Sequence, residues 1–380
     1  MANQKIISTP IITAQPKLWD RLSQIAKSGE IGSAYLFSGP SGCGKEGIAI
    51  QFARLLNCEG ITPLPCEICI SCKRSVNLQH ENFKFIFPLP APKSASIDEN
   101  NSIDQKSIQI VIDAISNKAK DPFYKINVPK ANRILIQSIR ELRKTLYLKG
   151  EKSGRKMVLI FDAHLLSVGQ GEAANALLKL LEEPPDNTTL VLVTDYVELL
   201  MPTILSRCQR VGFPRLNDDF IQQWFEVKMI KHSEISFLTG LSLGNIHNAR
   251  FLLAQSIGEL IELINKLTKT ITQNEPEDWR KFIETYSRLA RQDRPTFLFH
   301  FMILKIWFQS ANRYQKGLHH ILHDSSFDQS IKRLLKNYPD ADFTSIIFEL
   351  EETIFSIPQN LYMPLVLINL LLRIQKYLRL

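Results

Sequence analysis

Lys45 closes a glycine loop, Gly39-Pro40-Ser41-Gly42-Cys43-Gly44-Lys45-Glu46, with the G-x4-G-K spacing of a phosphate cradle. In such a loop, backbone N–H groups at a helix start hold phosphate oxygens, and the lysine reaches the β- and γ-phosphates. Gly39, Gly44 and Lys45 are therefore the candidate nucleotide-binding residues. The next position normally carries a Ser or Thr hydroxyl for Mg²⁺, and here it is Glu46. A carboxylate changes both charge and reach at that point, so weak or absent hydrolysis is expected.

Hydrolysis also needs two adjacent acids, one for the metal and one to orient the attacking water. The stretch Val158-Leu159-Ile160-Phe161-Asp162-Ala163-His164 offers one. If Asp162 is the metal residue, Ala163 has lost the base; if Asp162 is the base, Phe161 has displaced the metal residue. Either register breaks the pair, and Asp162 also reads simply as the end of a strand. A second chemistry lies between these segments. Cys58, Cys66, Cys69 and Cys72 are spaced C-x7-C-x2-C-x2-C. Thiolates two residues apart can bite one ion from a tight turn, and four complete a tetrahedral shell with no position left for water. A structural Zn²⁺ is expected. Disulfides are the alternative, with His80 either a substitute ligand or an ordinary loop residue.

These residues need elements to hold them. Tyr35 to Ser38 is a short apolar run entering the loop, and Ile48, Phe52, Leu55 and Leu56 recur at helical spacing after it. Phe83 to Phe87 alternates like a strand and is ended by Pro88 and Pro90. Ile136, Ile139, Leu142 and Leu146 mark a helix face. Met157–Phe161 and Leu190–Thr194 suit buried parallel strands, with a helix from Glu172 to Glu183 between them. Alternating strands and helices predict an α/β domain with a parallel sheet covered on both faces. From Ala91 to Lys130 the chain turns polar, with one helix predicted around Ile108 to Ile115, and reads as a solvent-exposed insertion. Beyond Pro214 the pattern is helical. Leu365, Ile368, Leu371 and Leu372 predict a core helix near the end, followed by basic Arg373, Lys376 and Arg379.

The chain has 380 residues, which suggests two or three domains, and 44% hydrophobic content is ample for packed cores. A net charge of +8 is compatible with an acidic partner such as DNA, and equally with a solvated surface. The longest apolar run, Leu365 to Leu372, is interrupted by Asn369 and falls far short of the roughly 20 residues that span a bilayer. With no recognisable export leader, a reducing cytoplasm is the expected setting.

Three blocks together resemble one family. They are the cysteine cluster after the loop helix, Ala173-Ala174-Asn175-Ala176-Leu177-Leu178-Lys179-Leu180-Leu181-Glu182-Glu183-Pro184-Pro185, and Pro202-Thr203-Ile204-Leu205-Ser206-Arg207-Cys208. The chain resembles the bacterial DNA polymerase III clamp-loader subunits, AAA+ proteins of the gamma/tau and delta-prime type, over roughly Ser33 to Pro214 and more loosely beyond. The resemblance implies an AAA+ P-loop-like domain over 1–214, with a zinc module at 58–72 and the insertion at 91–130. A small helical lid domain at 215–275 and an all-α collar domain at 276–380 would follow.

Within that family Arg207 corresponds to an arginine projected into the ATP site of a neighbouring subunit. Phe161 falls at the metal aspartate and Asp162 at the glutamate. His247, in Gly244-Asn245-Ile246-His247-Asn248-Ala249, replaces a lid arginine. Thr194 lies in the region of the residue that senses the γ-phosphate, although a threonine ending a buried strand is equally ordinary. Three ATPase parts are altered and the donated arginine is kept, which resembles delta-prime. The implied role is to brace a ring with gamma/tau and delta and help load the sliding clamp onto primed DNA. It carries no ATPase of its own within the DNA-directed DNA polymerase holoenzyme and no membrane contact. Passive ATP binding at Lys45 is left open. The alternatives are a gamma/tau-type ATPase, or a zinc-containing DNA-binding protein on an inactive AAA+ scaffold.

Overall fold

The computed structural model describes residues 9–60, 63–90, 105–129, 131–147, 154–318, 325–359 and 361–379. The chain divides into two compact units, Met1–Leu216 and Asn217–Leu380. The first unit is built on a sheet of β1 (Ala34–Ser38), β2 (Phe83–Ile86), β3 (Lys156–Ile160), β4 (Thr188–Thr194) and β5 (Gln209–Gly212), in the order β2-β3-β4-β1-β5. All pairings are parallel, with Leu36 opposite Leu192 and Leu159 opposite Val191. Its helices are α1 (Thr9–Ala14), α2 (Pro16–Ser28), α3 (Lys45–Leu56), α4 (Ile70–Ser75), α5 (Gln105–Lys120), α6 (Ile136–Tyr147), α7 (Glu172–Glu182) and α8 (Pro202–Leu205).

Strand residues alternate between two buried faces, which is why β1, β3 and β4 read as unbroken apolar runs. Leu36, Val158, Ile160, Leu190 and Leu192 pack with Ile139, Leu142 and Leu146 of α6 and Ala174, Leu177 and Leu181 of α7. On the opposite face Tyr35 meets Phe52 of α3 edge to face, with ring centroids 5.7 Å apart. This sandwich brings the ends of β1, β3 and β4 side by side, where the glycine loop and the acids of the candidate site emerge.

Two expectations for this unit change. β5 was not anticipated, because Gln209-Arg210-Val211-Gly212 is an edge strand that buries only Val211. The polar insertion is not a solvent excursion in its described part. α5 is longer than the Ile108–Ile115 helix expected. Ala114, Lys118, Phe123, Ile126 and Val128 are buried. Residues 91–104 and 130 lie outside the described residues.

The second unit is helical among its described residues: α9 (Asp218–Val227), α10 (His232–Ser242), α11 (Ile246–Leu253), α12 (Ile257–Thr272), α13 (Pro276–Gln292), α14 (Arg294–Gln315), α15 (Ser325–Asn337), α16 (Phe343–Ser356) and α17 (Met363–Leu378). Their starts follow from the sequence. Asn217, Asn245, Ser256, Asp293 and Asp342 accept first-turn N–H bonds, and Ser256 with Glu259 forms a full capping box. α14 buries Phe297, Phe299, Phe301, Ile303, Leu304, Trp307 and Phe308, so apolar side chains cover most of its circumference and it occupies the centre. α17 buries Leu367, Leu370, Leu371, Ile374 and Leu378. Leu365 and Leu372, expected in the core, are exposed, because leucines on several faces leave the periodicity ambiguous. No described helix is long and apolar enough to cross a membrane.

Leu192 sits at the centre of the sheet, fully buried between Leu36 and Ile160. We expect Leu192→Ala to cost about 2–5 kcal/mol in denaturant unfolding of the first unit, and a loss under about 1 kcal/mol would contradict this packing.

Candidate functional site

The glycine loop leaves β1 after Ser38 and enters α3 at Lys45, with Gly44 in a left-handed conformation (φ 91°) that a side chain would strain. Its surroundings are crowded. A Cβ on Gly44 would lie 2.7 Å from Ile11 Cδ1 of α1 and 3.2 Å from the Phe123 ring. On Gly47 it would meet Ile11 at 2.8 Å and the Pro122 carbonyl at 2.9 Å. The segment following α5 thus lies directly against the loop and the first turn of its helix.

Lys45 is nearly fully buried, and its ammonium is already satisfied. It donates to the Gly39 carbonyl at 2.8 Å and to the Pro40 carbonyl, and pairs with Asp195 Oδ1 at 2.7 Å. Asp195 directly follows β4, which places it beside the end of β1. Burial opposes its charge, but attraction from Lys45 and Lys125 outweighs that and holds its carboxyl far below the usual range.

Glu46 is buried with two cations. Lys118 Nζ donates to Oε2 at 2.6 Å, and Lys125 Nζ to Oε1 at 3.0 Å. Lys125 also reaches Asp162 Oδ1 at 2.6 Å, bridging the loop to the end of β3. Lys118 additionally donates to the carbonyls of Pro122 and Tyr124, and its ammonium lies 5.7 Å from the centroid of the Phe161 ring. Burial alone would raise the Glu46 pKa, but Lys118 and Lys125 hold it at about 2. The same carboxylates keep Lys125 protonated, with a pKa well above its ordinary value. Three carboxylates therefore meet three ammoniums in one network.

Thr194 is buried, and its hydroxyl shares a 3.1 Å hydrogen bond with His164 Nδ1 and accepts from the Tyr196 N–H. Burial lowers the His164 pKa, so the ring is neutral near pH 7. Arg207 stands apart from this network. Its guanidinium pairs with Glu182 Oε1 at 2.7 Å and donates to the Thr203 carbonyl, with about a third of the side chain exposed (34%). His247 lies in the first turn of α11, in the second unit. Lys118, Lys125 and Asp195 were not identified from the sequence. Asp195 carried a usable signal, as an acid at the end of a buried strand. The two lysines sat unmarked in a polar stretch.

The four cysteines converge, their Sγ atoms all within 4.8 Å of one another. Four sulfurs at about 2.3 Å from a tetrahedral ion lie about 3.8 Å apart, and Cys66 and Cys72 are at 3.9 Å. Backbone N–H groups of Gly60, Cys66, Cys69 and Cys72 donate to sulfurs of the cluster. Such bonds from Cys69 and Ile68 bring the Cys66 thiol to about 6. The donor set fits a closed, structural metal ion. His80 is directed elsewhere, bonding Ser71 Oγ through Nε2 and accepting from the Asn82 N–H through Nδ1.

The Glu46 pKa fixes a sign for acid behaviour. It is depressed on folding, so the stabilisation is present above the ordinary value of 4.5 and is lost as pH falls towards about 2. Asp195 acts in the same direction. We expect Glu46→Gln to lose about 3–5 kcal/mol at neutral pH, because it strands buried Lys118. Its urea midpoint should fall less steeply than that of the parent chain below pH 4.5, and a parallel acid limb would contradict the pairing.

A profile of the family described as "DNA polymerase III, delta subunit" matches residues 14–217. The tau subunit of DNA polymerase III from Bacillus subtilis is 27% identical over 332 residues, covering 80% of this chain and 50% of that protein. The gamma subunit from Buchnera aphidicola subsp. Schizaphis graminum is 28% identical over 321 residues, 82% of this chain and 73% of its own. The tau/gamma subunit from Haemophilus influenzae is 32% identical over 213 residues, 56% of this chain and 24% of its own. The chain spans about half the length of the first of these relatives. Among solved structures, a gamma subunit-related protein from Thermotoga maritima aligns over 95% of this chain and all of its own, at 18% identity and a TM-score of 0.40. With the profile covering more than half of its residues, the chain belongs to the DNA polymerase III delta-subunit family and is related to the gamma and tau subunits.

Proposed function

We propose that the chain is a clamp-loader subunit of the delta-prime type. It braces a ring formed with gamma/tau and delta subunits and donates Arg207 to the nucleotide of a neighbour, without turning over ATP itself. The observation that carries this reading is the contrast between the two positive groups. Lys45 is buried and paired with Asp195, whereas Arg207 is partly exposed and held by a surface carboxylate. A surface ion pair is worth about 0–1 kcal/mol, so the guanidinium can leave Glu182 at little cost when a phosphate is offered. A guanidinium supplied from outside stabilises charge developing on a transferred phosphoryl group, and supplying it in trans couples hydrolysis to assembly.

The chain's own chemistry supports the same assignment. Glu46 cannot act as a hydroxyl ligand, Phe161 cannot ligate a metal, and His164 bonds Thr194. We assign 215–275 as lid and 276–380 as collar, with His247 at the lid position where the ATPases of the family carry arginine. The sliding clamp and primed DNA would be engaged through the complex, in the cytoplasm. The four cysteines would hold Zn²⁺, their all-thiolate shell fixing the turn between α3 and β2.

Two measurements test this. In a mixture with a gamma-type subunit, Arg207→Ala should lower the DNA-stimulated ATPase of the one site that this chain serves by about 10³-fold or more, removing that site's share of the total rate. An unchanged rate would remove that role. Metal analysis of the chain purified under reducing conditions should find about one zinc per molecule. Retention of full thermal stability after Cys69→Ala and loss of the ion would show that the cluster is not structural.

A further inference from the structure

A working phosphate loop places Mg²⁺ between the hydroxyl that follows the loop lysine and an acid at a neighbouring strand end. Here Glu46 stands at the hydroxyl position and Phe161 at that of the metal acid, with Asp162 beside it, and Lys125 Nζ bridges Glu46 and Asp162 at 3.0 and 2.6 Å. Lys118 adds a second positive charge on the other Glu46 oxygen. The loop lysine, which should face phosphate, is neutralised by Asp195. Phe123 and Pro122 close over the glycines. The loop lysine and the acids at the metal position are thus already partnered by groups of this chain, and a metal-nucleotide complex does not fit the residues present.

We propose that the segment from α5 to Val128 is the resident ligand of this phosphate loop, with the Lys125 and Lys118 ammoniums in place of the metal ion. Burial supports a built-in ligand over a chance surface contact. Lys118 is 3% exposed, and Phe123, Ile126 and Val128 anchor the strap in the core. Lys118 also shapes its own strap by donating to the carbonyls of Pro122 and Tyr124. Charge balance supports it further. Glu46, Asp162 and Asp195 are matched by Lys45, Lys118 and Lys125, so entry of a nucleotide polyanion would break the buried Lys118–Glu46 pair and the half-buried pairs beside it, leaving carboxylates facing phosphates.

This inference rests on the reading of the loop as non-catalytic, but its test is separate from that of Arg207. ATP binding by the isolated chain would overturn the resident ligand and leave the finger standing. An unchanged ATPase rate in the Arg207→Ala mixture would do the reverse.

The test uses thermal unfolding of the full, zinc-loaded chain in buffer freed of other divalent ions. For the parent chain, millimolar Mg²⁺, with or without ATP, should not move Tm. A saturable rise with Mg-ATP that Lys45→Ala abolishes would overturn the proposal. For Lys125→Met, Glu46 and Asp162 lose the cation between them, and Tm should fall by about 4 °C or more. Added Mg²⁺ or Mn²⁺ should then recover at least part of the loss, since a divalent ion can neutralise the two carboxylates that Lys125 bridged. A fall that neither metal reverses would mean that Lys125 serves packing alone. If Lys125→Met does not fold, the paired variant Asp162→Asn/Lys125→Met, which keeps the Lys118–Glu46 pair, tests the same point. It should fold with no metal response, and a metal-dependent Tm rise in it would contradict the assignment of Glu46 and Asp162 as joint ligands of Lys125.

Discussion

Charge neutrality at the mouth of the glycine loop is the constraint on which the rest of the first unit depends. Glu46, Asp162 and Asp195 emerge from three neighbouring elements that the parallel sheet forces together. Glu46 is buried and the other two are half-buried, and carboxylates so placed cannot all stay ionised without cations among them. Lys118 and Lys125 come from the polar stretch between β2 and α6, and Lys45 completes the set. The polar insertion therefore has a physical role: it supplies charge and covers the loop.

This arrangement separates the chain's architecture from nucleotide chemistry. A phosphate loop that depends on a bound nucleotide changes shape as the ligand changes. A loop filled by lysines from the same chain, as proposed above, has no such dependence. Arg207 lies just beyond α8, whose Ile204 is anchored in the same core as α7 and β4, so its placement follows from the sheet rather than from a mobile tip. Its exposure and its carboxylate partner leave it available.

Much of this was legible in the sequence, for identifiable reasons. β1, β3 and β4 bury both faces and so read as unbroken apolar runs, and the glycine spacing marked the loop between β1 and α3. The cysteines announced their convergence through spacing alone. β5 escaped because an edge strand with one buried residue carries no pattern. The outward position of Leu365 and Leu372 escaped because leucines occupy several faces of α17. The lysine network was hidden for a deeper reason. Composition marks Lys118 and Lys125 as solvent residues, and only the three-dimensional meeting with Glu46 and Asp162 turns them inward.

The most direct measurement is a crystal structure of the full chain grown with Mg²⁺ and a non-hydrolysable ATP analogue. The account predicts Lys125 Nζ between Glu46 and Asp162, Lys45 on Asp195, and no nucleotide in the loop. A magnesium nucleotide seated on Gly44 and Lys45, with Lys125 displaced from both carboxylates, would contradict it.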